Sequence, residues 1–365
     1  MSDSGRPPTP LEDTPLPSGE DDPAVAGPKS ATEAEAPQGF RGKLLRGVLV
    51  FVGLSALAFV ILGKLVPGFW EAQTVSWRWP EFAGATALIL PLWLLDALRY
   101  RVLARGFDLE LGYLRCLQLG FLFHMAAYLT PGSAGGQPLV AWYLTRHGVP
   151  LPESLGISLI KPLLGMFVIT FGGGIALLIH PAPPPGLERF LVLGAVLMLT
   201  LASGVGVLLL RPNSVARVCA WAFEQIARLP GLDRAGRFAG ALDRSVEVAG
   251  RLRTRGLPFL AVNLALTIAW YAVGLIALGL VARSVGIGRP LHALSCDLGL
   301  FRALAIYAPT PGGAGLAEGG IAWLFGAERA LALALGWRLL FHYAEIVAGL
   351  AVLVHTFKTP PRSPA

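Results

Sequence analysis

The chain has 365 residues, of which 54% are hydrophobic and 15% are charged, with a formal net charge of +7. This composition, with several apolar runs near the roughly 20 residues that span a bilayer, argues against a soluble protein and predicts an all-α polytopic membrane protein. The three cysteines are far apart and show no metal-ligand spacing, so we expect neither a disulfide framework nor a metal site.

Residues 1–39 differ in composition from the rest of the chain. They contain eight acidic residues against two basic ones and are rich in proline. Because such a segment cannot bury enough apolar surface to fold, it is predicted to be a disordered acidic tail. The next apolar run begins near Leu44 and is long enough to be a span rather than a cleaved signal peptide. We expect a membrane domain at 40–358 and a short C-terminal tail at 359–365.

The apolar runs predict about six full spans and two shorter elements. The six spans lie at 44–63, 81–98, 154–179, 189–210, 257–282 and 336–357. Two further runs, at 112–129 and 291–309, are each followed by a short apolar segment, at 137–146 and 316–326. A helix of about 11 residues covers about 16 Å, roughly half of the hydrocarbon core. We interpret each pair as a re-entrant or broken helical hairpin; the alternative is an eight-span bundle with kinked helices.

A short motif occurs at the break of each hairpin. Thr-Pro-Gly-Ser-Ala-Gly at 130–135 recurs as Thr-Pro-Gly-Gly-Ala-Gly at 310–315. Helix-breaking Pro-Gly at membrane depth must be shielded by protein or line a cavity, because lipid cannot satisfy freed backbone groups. Matched breaks in two halves indicate a transport site in an inverted repeat. The half-helix after each break can hold a phosphate at its N-terminus. Alternatively, Pro-Gly only ends a helix, and glycine only permits close packing.

Basic residues predict the orientation of the spans. The loop at 211–256 has nine arginines against four acidic residues, and further basic residues flank the spans at 41–46, 99–105 and 358–362. The positive-inside rule places these regions and both termini in the cytoplasm, so the two hairpins enter from opposite sides. Arg283, Arg289 and Arg329 are left outside by this arrangement. The basic loop is either an amphipathic helix that attracts anionic lipids or a solvated linker.

Ionisable residues inside the apolar runs are the candidates for binding, because a charge in lipid needs a cavity or a partner. Lys161 either snorkels or binds an anionic substrate. Arg302 lies near the midplane, its guanidinium suits phosphate, and Asp297 has poor spacing for pairing with it. The predicted substrate-binding residues are Thr130, Pro131, Gly132, Gly135, Gly136, Gln137, Lys161, Arg302, Thr310, Pro311, Gly312, Gly313, Gly315 and Glu318.

Other ionisable residues have two interpretations each. Arg338, His342 and Glu345 follow i, i+4, i+7 spacing and are predicted to share a helix face, as a proton-coupling path or as a salt-bridged seam. Asp96 and Arg99, one turn apart, are predicted to be an interfacial pair at the cytoplasmic end of their span. His124 is predicted to be a packed, neutral histidine.

The first break and its flanks resemble the first signature of the flippase-like membrane-domain family, typified by the transmembrane region of lysylphosphatidylglycerol synthases. The resemblance extends from Tyr128 to Val149, and Pro311 to Glu318 resemble the second signature, in which a glycine-rich break precedes a glutamate. The likeness covers roughly 40–357 and implies movement of a lipid or lipid-linked headgroup between leaflets. Family members commonly have a glutamate at the position of Gln137 and an arginine at that of Val140, so the first motif lacks an acid and a base here.

The chain has no recognisable catalytic motif: no His-Glu-x-x-His, no phosphate-binding loop ending in Gly-Lys-Ser/Thr and no Gly-x-Ser-x-Gly elbow. It ends about eight residues after the last span, so we expect no aminoacyltransferase domain. We expect no cofactor and no nucleic-acid partner.

The resulting hypothesis is a lipid translocator of the inner (plasma) membrane for an anionic phospholipid or a polyprenyl-phosphate-linked lipid. Its cavity would be lined by Lys161, Arg302 and Glu318, and transport would be ion-coupled or energy-independent, since no nucleotide-binding motif is present. One alternative is a membrane enzyme, or the noncatalytic partner of an enzyme, in lipid or glycolipid biosynthesis. Another is a scaffold that recruits proteins through the acidic tail and the basic loop.

Overall fold

A computed structural model describes residues 76–179, 256–305 and 310–358, together with Ala308 and the single positions Leu49, Gly53, Ala56, Val60, Lys64 and Val196. All regular structure within these residues is helical. The predicted acidic tail, the spans predicted at 44–63 and 189–210, the loop at 211–256 apart from Gly256, and the C-terminal tail lie outside the described residues.

Ten α-helices follow one another along the described part of the chain. They are α1 (Trp79–Ala87), α2 (Ile89–Gly106), α3 (Tyr113–Leu129), α4 (Gly136–Arg146), α5 (Leu151–Ile179), α6 (Gly256–Ser284), α7 (Leu291–Ala305), α8 (Leu316–Phe325), α9 (Ala327–Arg338) and α10 (Ala344–Lys358). Short 3-10 turns at Pro131–Ser133 and Pro311–Gly313 precede α4 and α8, and a π-helical segment, Leu339–Tyr343, joins α9 to α10.

Four helical stretches are long and apolar enough to cross a membrane: Trp79–Gly106, Leu151–Ala176, Pro258–Ser284 and Arg329–Lys358. They coincide with four of the six predicted spans, and the prediction of an all-α membrane protein is confirmed. The total number of spans and the inverted repeat stay predictions.

The outer faces of the long helices are apolar. On α5 the exposed large apolar side chains are spaced by four residues or a multiple of four, so they form a continuous stripe that winds gradually around the helix. A stripe of this kind would be an aggregation hazard in water, whereas lipid covers it at no cost. The exposed residues of this stripe are Leu159, Phe167, Phe171, Ile175 and Ile179.

Contacts between α1–α2 and α6 fix the directions of the two hairpins. The backbone N–H of Arg78, just before α1, donates to the carbonyl of Ser284 at 2.8 Å. Nearer the C-terminal end of α2 and the N-terminal end of α6, Arg99 Nε donates to Thr267 Oγ1 at 3.2 Å. Because the residue numbers rise on one helix as they fall on the other, α2 and α6 are antiparallel. The next helices after them, α3 and α7, therefore start at opposite ends of the bundle.

Each broken run folds back on itself. α3 ends at Leu129, and after the turn α4 returns along α3 and packs against α5. α7 ends at Ala305, and α8 returns along α7 and packs against α9. The 3-10 turns at the two tips contact each other. The hairpins thus approach from opposite ends and meet at their tips.

Two apolar clusters form the core of the described residues. The first cluster is built by α1, the start of α2 and helices α6 to α9, and the second by the end of α2 with α3, α4, α5 and α10. Along α2 the change from the first cluster to the second falls between Leu92 and Ala97. Along the last span it falls between Phe341 and Ile346. Buried charged residues occupy this junction.

Candidate functional site

The two Pro-Gly turns have nearly the same backbone conformation. Gly132 has φ 59° and ψ 20°, and Gly312 has φ 57° and ψ 19°. This left-handed region costs other L-residues about 1–2 kcal/mol, so glycine is the residue that adopts it without strain. The repeated Pro-Gly step thus has a repeated backbone conformation, but the two copies then diverge, because Ala134 has ψ -18° where Ala314 has ψ 136°, and Gly135 has φ -79° where Gly315 has φ 87°.

The threonine of each turn is bonded to its own backbone. Thr130 Oγ1 accepts from the N–H of Gly135 at 2.8 Å and donates to the carbonyl of Ala126 at 2.7 Å. Thr310 Oγ1 donates to the carbonyl of Ala314 at 2.7 Å. Contact of either threonine with a substrate stays a prediction; the observed role is to close the turn.

Two glycines allow the first hairpin to close tightly. A Cβ on Gly135 would lie 2.6 Å from Thr130 Cγ2, and a Cβ on Gly136 would lie 2.8 Å from the ring of Phe123. Both distances are shorter than real Cβ contacts, so the threonine and the ring occupy the space that side chains would need. These two glycines have a packing role, and their predicted contact with a headgroup is not tested by the structure.

The N-termini of the two half-helices are satisfied differently. No side chain caps α4, and the amide nitrogen of Gln137, oriented toward the turn, donates to the carbonyls of Ser133 at 3.3 Å and Ala134 at 3.2 Å. At α8 a carboxylate does the capping, because Glu318 Oε2 accepts from the N–H of Gly315 at 2.7 Å. The N-terminus of α8 therefore already holds an anion from the protein itself.

Glu318 is also bound by an arginine of α9. Arg338 Nε donates to Glu318 Oε1 at 2.6 Å, and Arg338 NH1 donates to the carbonyl of Gly312 at 3.2 Å. Both side chains are buried, with 0% of Arg338 and 1% of Glu318 exposed. Arg338 thus ties the second turn and α8 to the last span, as a salt-bridged seam would. His342 and Glu345 face α3 instead, and a coupling role for the three residues stays a prediction.

A second buried ionic group is centred on Asp96. Lys161 Nζ donates to Asp96 Oδ2 at 2.8 Å, and Arg99 NH1 donates to Asp96 Oδ1 at 3.0 Å. The predicted pairing of Asp96 with Arg99 is observed, and the two residues are only 3% and 4% exposed, while their predicted position at the membrane interface stays a prediction. Lys161, from α5, does not snorkel to an interface; its ammonium lies over the ring of Tyr100 at 4.1 Å.

His124 of α3 lies between this group and Glu345. Its Nε2 is 3.5 Å from Asp96 Oδ2, and its Nδ1 is 3.7 Å from Glu345 Oε2. The ring is stacked between Tyr128 and Trp270, with centroid distances of 5.8 and 5.7 Å. The histidine is packed, as predicted, but no sequence pattern pointed to the carboxylates at both of its nitrogens. Those contacts depend on how three distant helices meet.

Arg302 of α7 also lies against Trp270. Its guanidinium is 5.7 Å from the ring of Trp270 and 5.5 Å from that of Tyr271. Among the described residues, no carboxylate lies within 4.0 Å of it. Asp297 is engaged elsewhere, since its Oδ2 accepts from Arg289 NH1 at 2.8 Å. The spacing of Asp297 and Arg302 along the helix was predicted to be unfavourable for an ion pair, and no ion pair between them is observed.

The three residues predicted to line a common cavity belong to separate contact groups. Lys161 is bound to Asp96, and Glu318 is bound to Arg338. Arg302 is held only by aromatic rings within the described residues. The centre of the described bundle holds four cations and three carboxylates, a net excess of one positive charge, and Arg302 is the cation among them that has no carboxylate within 4.0 Å. The other members are Arg99, Lys161, Arg338, Asp96, Glu318 and Glu345.

The residues that the structure describes contain no group of three or more histidine, cysteine, aspartate or glutamate side chains able to hold a metal ion.

A family model described as the lysylphosphatidylglycerol synthase TM region matches residues 44–349. The match includes both Pro-Gly turns and every charged residue at the centre of the described bundle. A search of curated proteins found no match, and a search of solved structures found none either.

Proposed function

Since the chain belongs to the lysylphosphatidylglycerol synthase TM-region family, a family of membrane lipid handling, we propose that it is a lipid translocator. Its cargo would be an anionic phospholipid or a polyprenyl-phosphate-linked lipid, moved between the leaflets of the inner membrane. In this proposal both chain termini are cytoplasmic, and the two hairpins form an inverted repeat whose tips meet at the transport path.

The observation that carries this proposal is Arg302. A charged side chain inside a membrane is costly unless it has a partner or faces a polar cavity. Arg302 has aromatic neighbours and no carboxylate within 4.0 Å among the described residues. A guanidinium binds a phosphate through two parallel N–H···O bonds, which a lysine cannot do. A headgroup phosphate beside Arg302 would neutralise the excess positive charge at the centre of the bundle.

The first hairpin supplies further support. Its turn is exposed at Pro131, Gly132 and Ala134, whereas Pro311 in the second turn is buried. The start of α4, directly after this exposed turn, has no side-chain cap. Free N–H groups at a helix start favour an anion. In this proposal the second turn, which Arg338 and Glu318 hold in place, forms the rigid side of the transport path. The first turn forms the side that is open to the headgroup.

The test uses purified protein in liposomes that contain either fluorescent phosphatidylglycerol or fluorescent phosphatidylcholine. Quenching from outside measures exchange between leaflets. We expect the anionic lipid to exchange faster than in protein-free liposomes. Arg302→Gln should slow this exchange about 10- to 100-fold, since hydrogen bonds to a charged group contribute about 1.5–3 kcal/mol. Arg302→Lys should retain part of the rate.

Arg329→Gln is the matched control, because that arginine has an exposed side chain at the start of α9. It should exchange lipid like the unmodified protein. Exchange no faster than in empty liposomes would contradict the proposal. A chemically modified lipid, found by mass spectrometry without any exchange, would favour the membrane-enzyme alternative instead.

A further inference from the structure

We propose that His124 and Glu345 form a proton-binding site that couples each anionic headgroup to one proton moving in the same direction. The inference rests on the proposed translocation and adds its driving ion. It is drawn from the contacts of the two side chains at the junction of the two apolar clusters.

Glu345 lacks the charged partner that its burial calls for. Its Oε1 accepts from Trp93 Nε1, a neutral donor, at 3.2 Å. Its Oε2 is buried, and the other hydrogen-bonding neighbour of the carboxylate, the hydroxyl of Tyr128, is neutral as well. Among those residues, no lysine or arginine lies within 4.0 Å of it. The imidazole of His124, with Nδ1 at 3.7 Å, is the group placed to supply a positive charge.

Asp96, on the other side of His124, is already matched. Lys161 and Arg99 bind its two oxygens at 2.8 and 3.0 Å, so its negative charge is balanced whether or not His124 is protonated. Because Tyr128 and Trp270 cover the two faces of the imidazole, its nitrogens are left to face the two carboxylates. A proton added at this centre therefore resides on His124 or on Glu345.

The charged and titratable groups around His124 come from every helix that packs on it. They are Asp96, Arg99 and Tyr100 of α2, Tyr128 of α3, Lys161 of α5, Tyr271 of α6, Arg302 of α7, His342 of the π segment and Glu345 of α10. With Glu345 ionised and His124 neutral, this group has one excess positive charge, that of Arg302. Binding of one proton raises the net charge of this group to +2, and binding of a singly charged anionic headgroup lowers it to +1 again.

Proton and headgroup therefore favour each other's binding. Both sites contact Trp270, with His124 stacked on it at 5.7 Å and the guanidinium of Arg302 also at 5.7 Å. Coupling of two binding events is reciprocal, so the anion raises proton affinity as much as the proton raises anion affinity. The proton comes from water on one side, forms an N–H or O–H bond at the pair, and returns to water on the other side. One negative and one positive charge move together.

The first experiment imposes a pH difference across proteoliposomes that contain fluorescent phosphatidylglycerol. With one proton per lipid, a difference of about one pH unit should shift the steady-state ratio between leaflets about tenfold toward the alkaline side. Glu345→Gln and His124→Gln should lose this bias. Glu110→Gln and His292→Gln, two exposed positions, are matched controls and should keep it.

Absence of any exchange in the unmodified protein would overturn the proposed translocation. Exchange without a response to the pH difference, or an unchanged response in both cluster variants, would overturn the proton site alone. The two failures are thus distinguishable.

A second experiment needs no variant and decides the case if the substitutions prevent folding. The unmodified protein is placed in liposomes with a luminal pH dye, and valinomycin with equal potassium on both sides holds the membrane potential at zero. Phosphatidylglycerol added to the outer leaflet should acidify the lumen, and phosphatidylcholine should not. Lipid entry with an unchanged luminal pH would overturn the proton site.

Discussion

The buried ion pair of Arg338 and Glu318 holds the second turn and α8 against the last span. Removing one partner of such a pair leaves a charge in a low-dielectric interior, which is worse than having neither partner. Arg338 also binds the carbonyl of Gly312, so its loss frees a turn carbonyl as well. The second turn depends on this side chain for its position.

We expect Arg338→Met to lower the free energy of unfolding by about 3–5 kcal/mol, because the carboxylate of Glu318 remains buried without its guanidinium. The double variant with Glu318→Leu should lose less than the single variant. Unfolding in mixed detergent micelles, followed by circular dichroism, measures both.

The control for this prediction is Arg78→Met. Arg78 is paired with Glu81 at 3.9 Å, and its side chain is 59% exposed. A solvent-exposed pair of this kind contributes less than about 1 kcal/mol. Equal losses for the two arginine variants would contradict the buried ion pair.

At the residue scale, the sequence identified the buried charges and one local pair, Asp96 with Arg99, but not the partners that come from distant helices. Arg302 could be singled out as a candidate, because a cation in an apolar run needs an explanation wherever it points. Asp96 and Lys161 are 65 residues apart, and their contact depends on the packing of α2 against α5. His124 was the weakest signal, since a single histidine in an apolar helix says nothing about what faces it.

Among the elements, the two Pro-Gly turns were the most predictable. Proline and glycine act on the backbone locally, so their effect does not wait for tertiary contacts. The structure adds a feature that the sequence obscures. Ser133 also has a left-handed backbone, at φ 58°, where the second turn has Gly313 at φ 69°. The first turn is thus the more strained of the two.

Substitutions in the first turn test this strain directly. Gly132→Ala should destabilise the protein by about 1–2 kcal/mol through its φ alone, since no atom lies within 4 Å of the added Cβ. Ser133→Gly should act in the opposite sense by relieving the same strain. Thermal unfolding in detergent measures whether each variant is less or more stable than the unmodified protein. A stabilising Gly132→Ala would refute the left-handed turn.

Helix ends were predicted less well than helix positions. The second span was predicted at 81–98, whereas the helical stretch runs to Gly106. Hydropathy falls at Arg99, Arg101 and Arg105, yet Arg99 is buried and paired inside the helix. The last span likewise begins earlier than 336, because Arg329 lowers the hydropathy of helix α9 without ending it. A hydropathy window cannot tell a paired charge from a boundary.

At the scale of the whole molecule, antiparallel α2 and α6 place the loop after α2 and the loop after α6 on opposite sides of the membrane. In the orientation proposed from the positive-inside rule, the first of these loops is cytoplasmic. Glu110 and Gly288 are exposed positions in the two loops. They allow the orientation to be measured.

In a variant whose three cysteines are replaced by alanine, we expect Gly288→Cys to react with a membrane-impermeant maleimide in intact cells. Glu110→Cys should react only after permeabilisation. The reverse pattern would contradict the orientation. Labelling of both positions from one side would contradict the antiparallel arrangement itself.

The π segment Leu339–Tyr343 lies where the last span leaves the first apolar cluster and enters the second. A π turn is wider than an α turn and has weaker regularity, so bending there disturbs fewer backbone hydrogen bonds. The two halves of the core share this helix and cannot slide apart freely. Rocking of one half against the other would concentrate at this hinge, one helical turn or less from both Arg338 and Glu345.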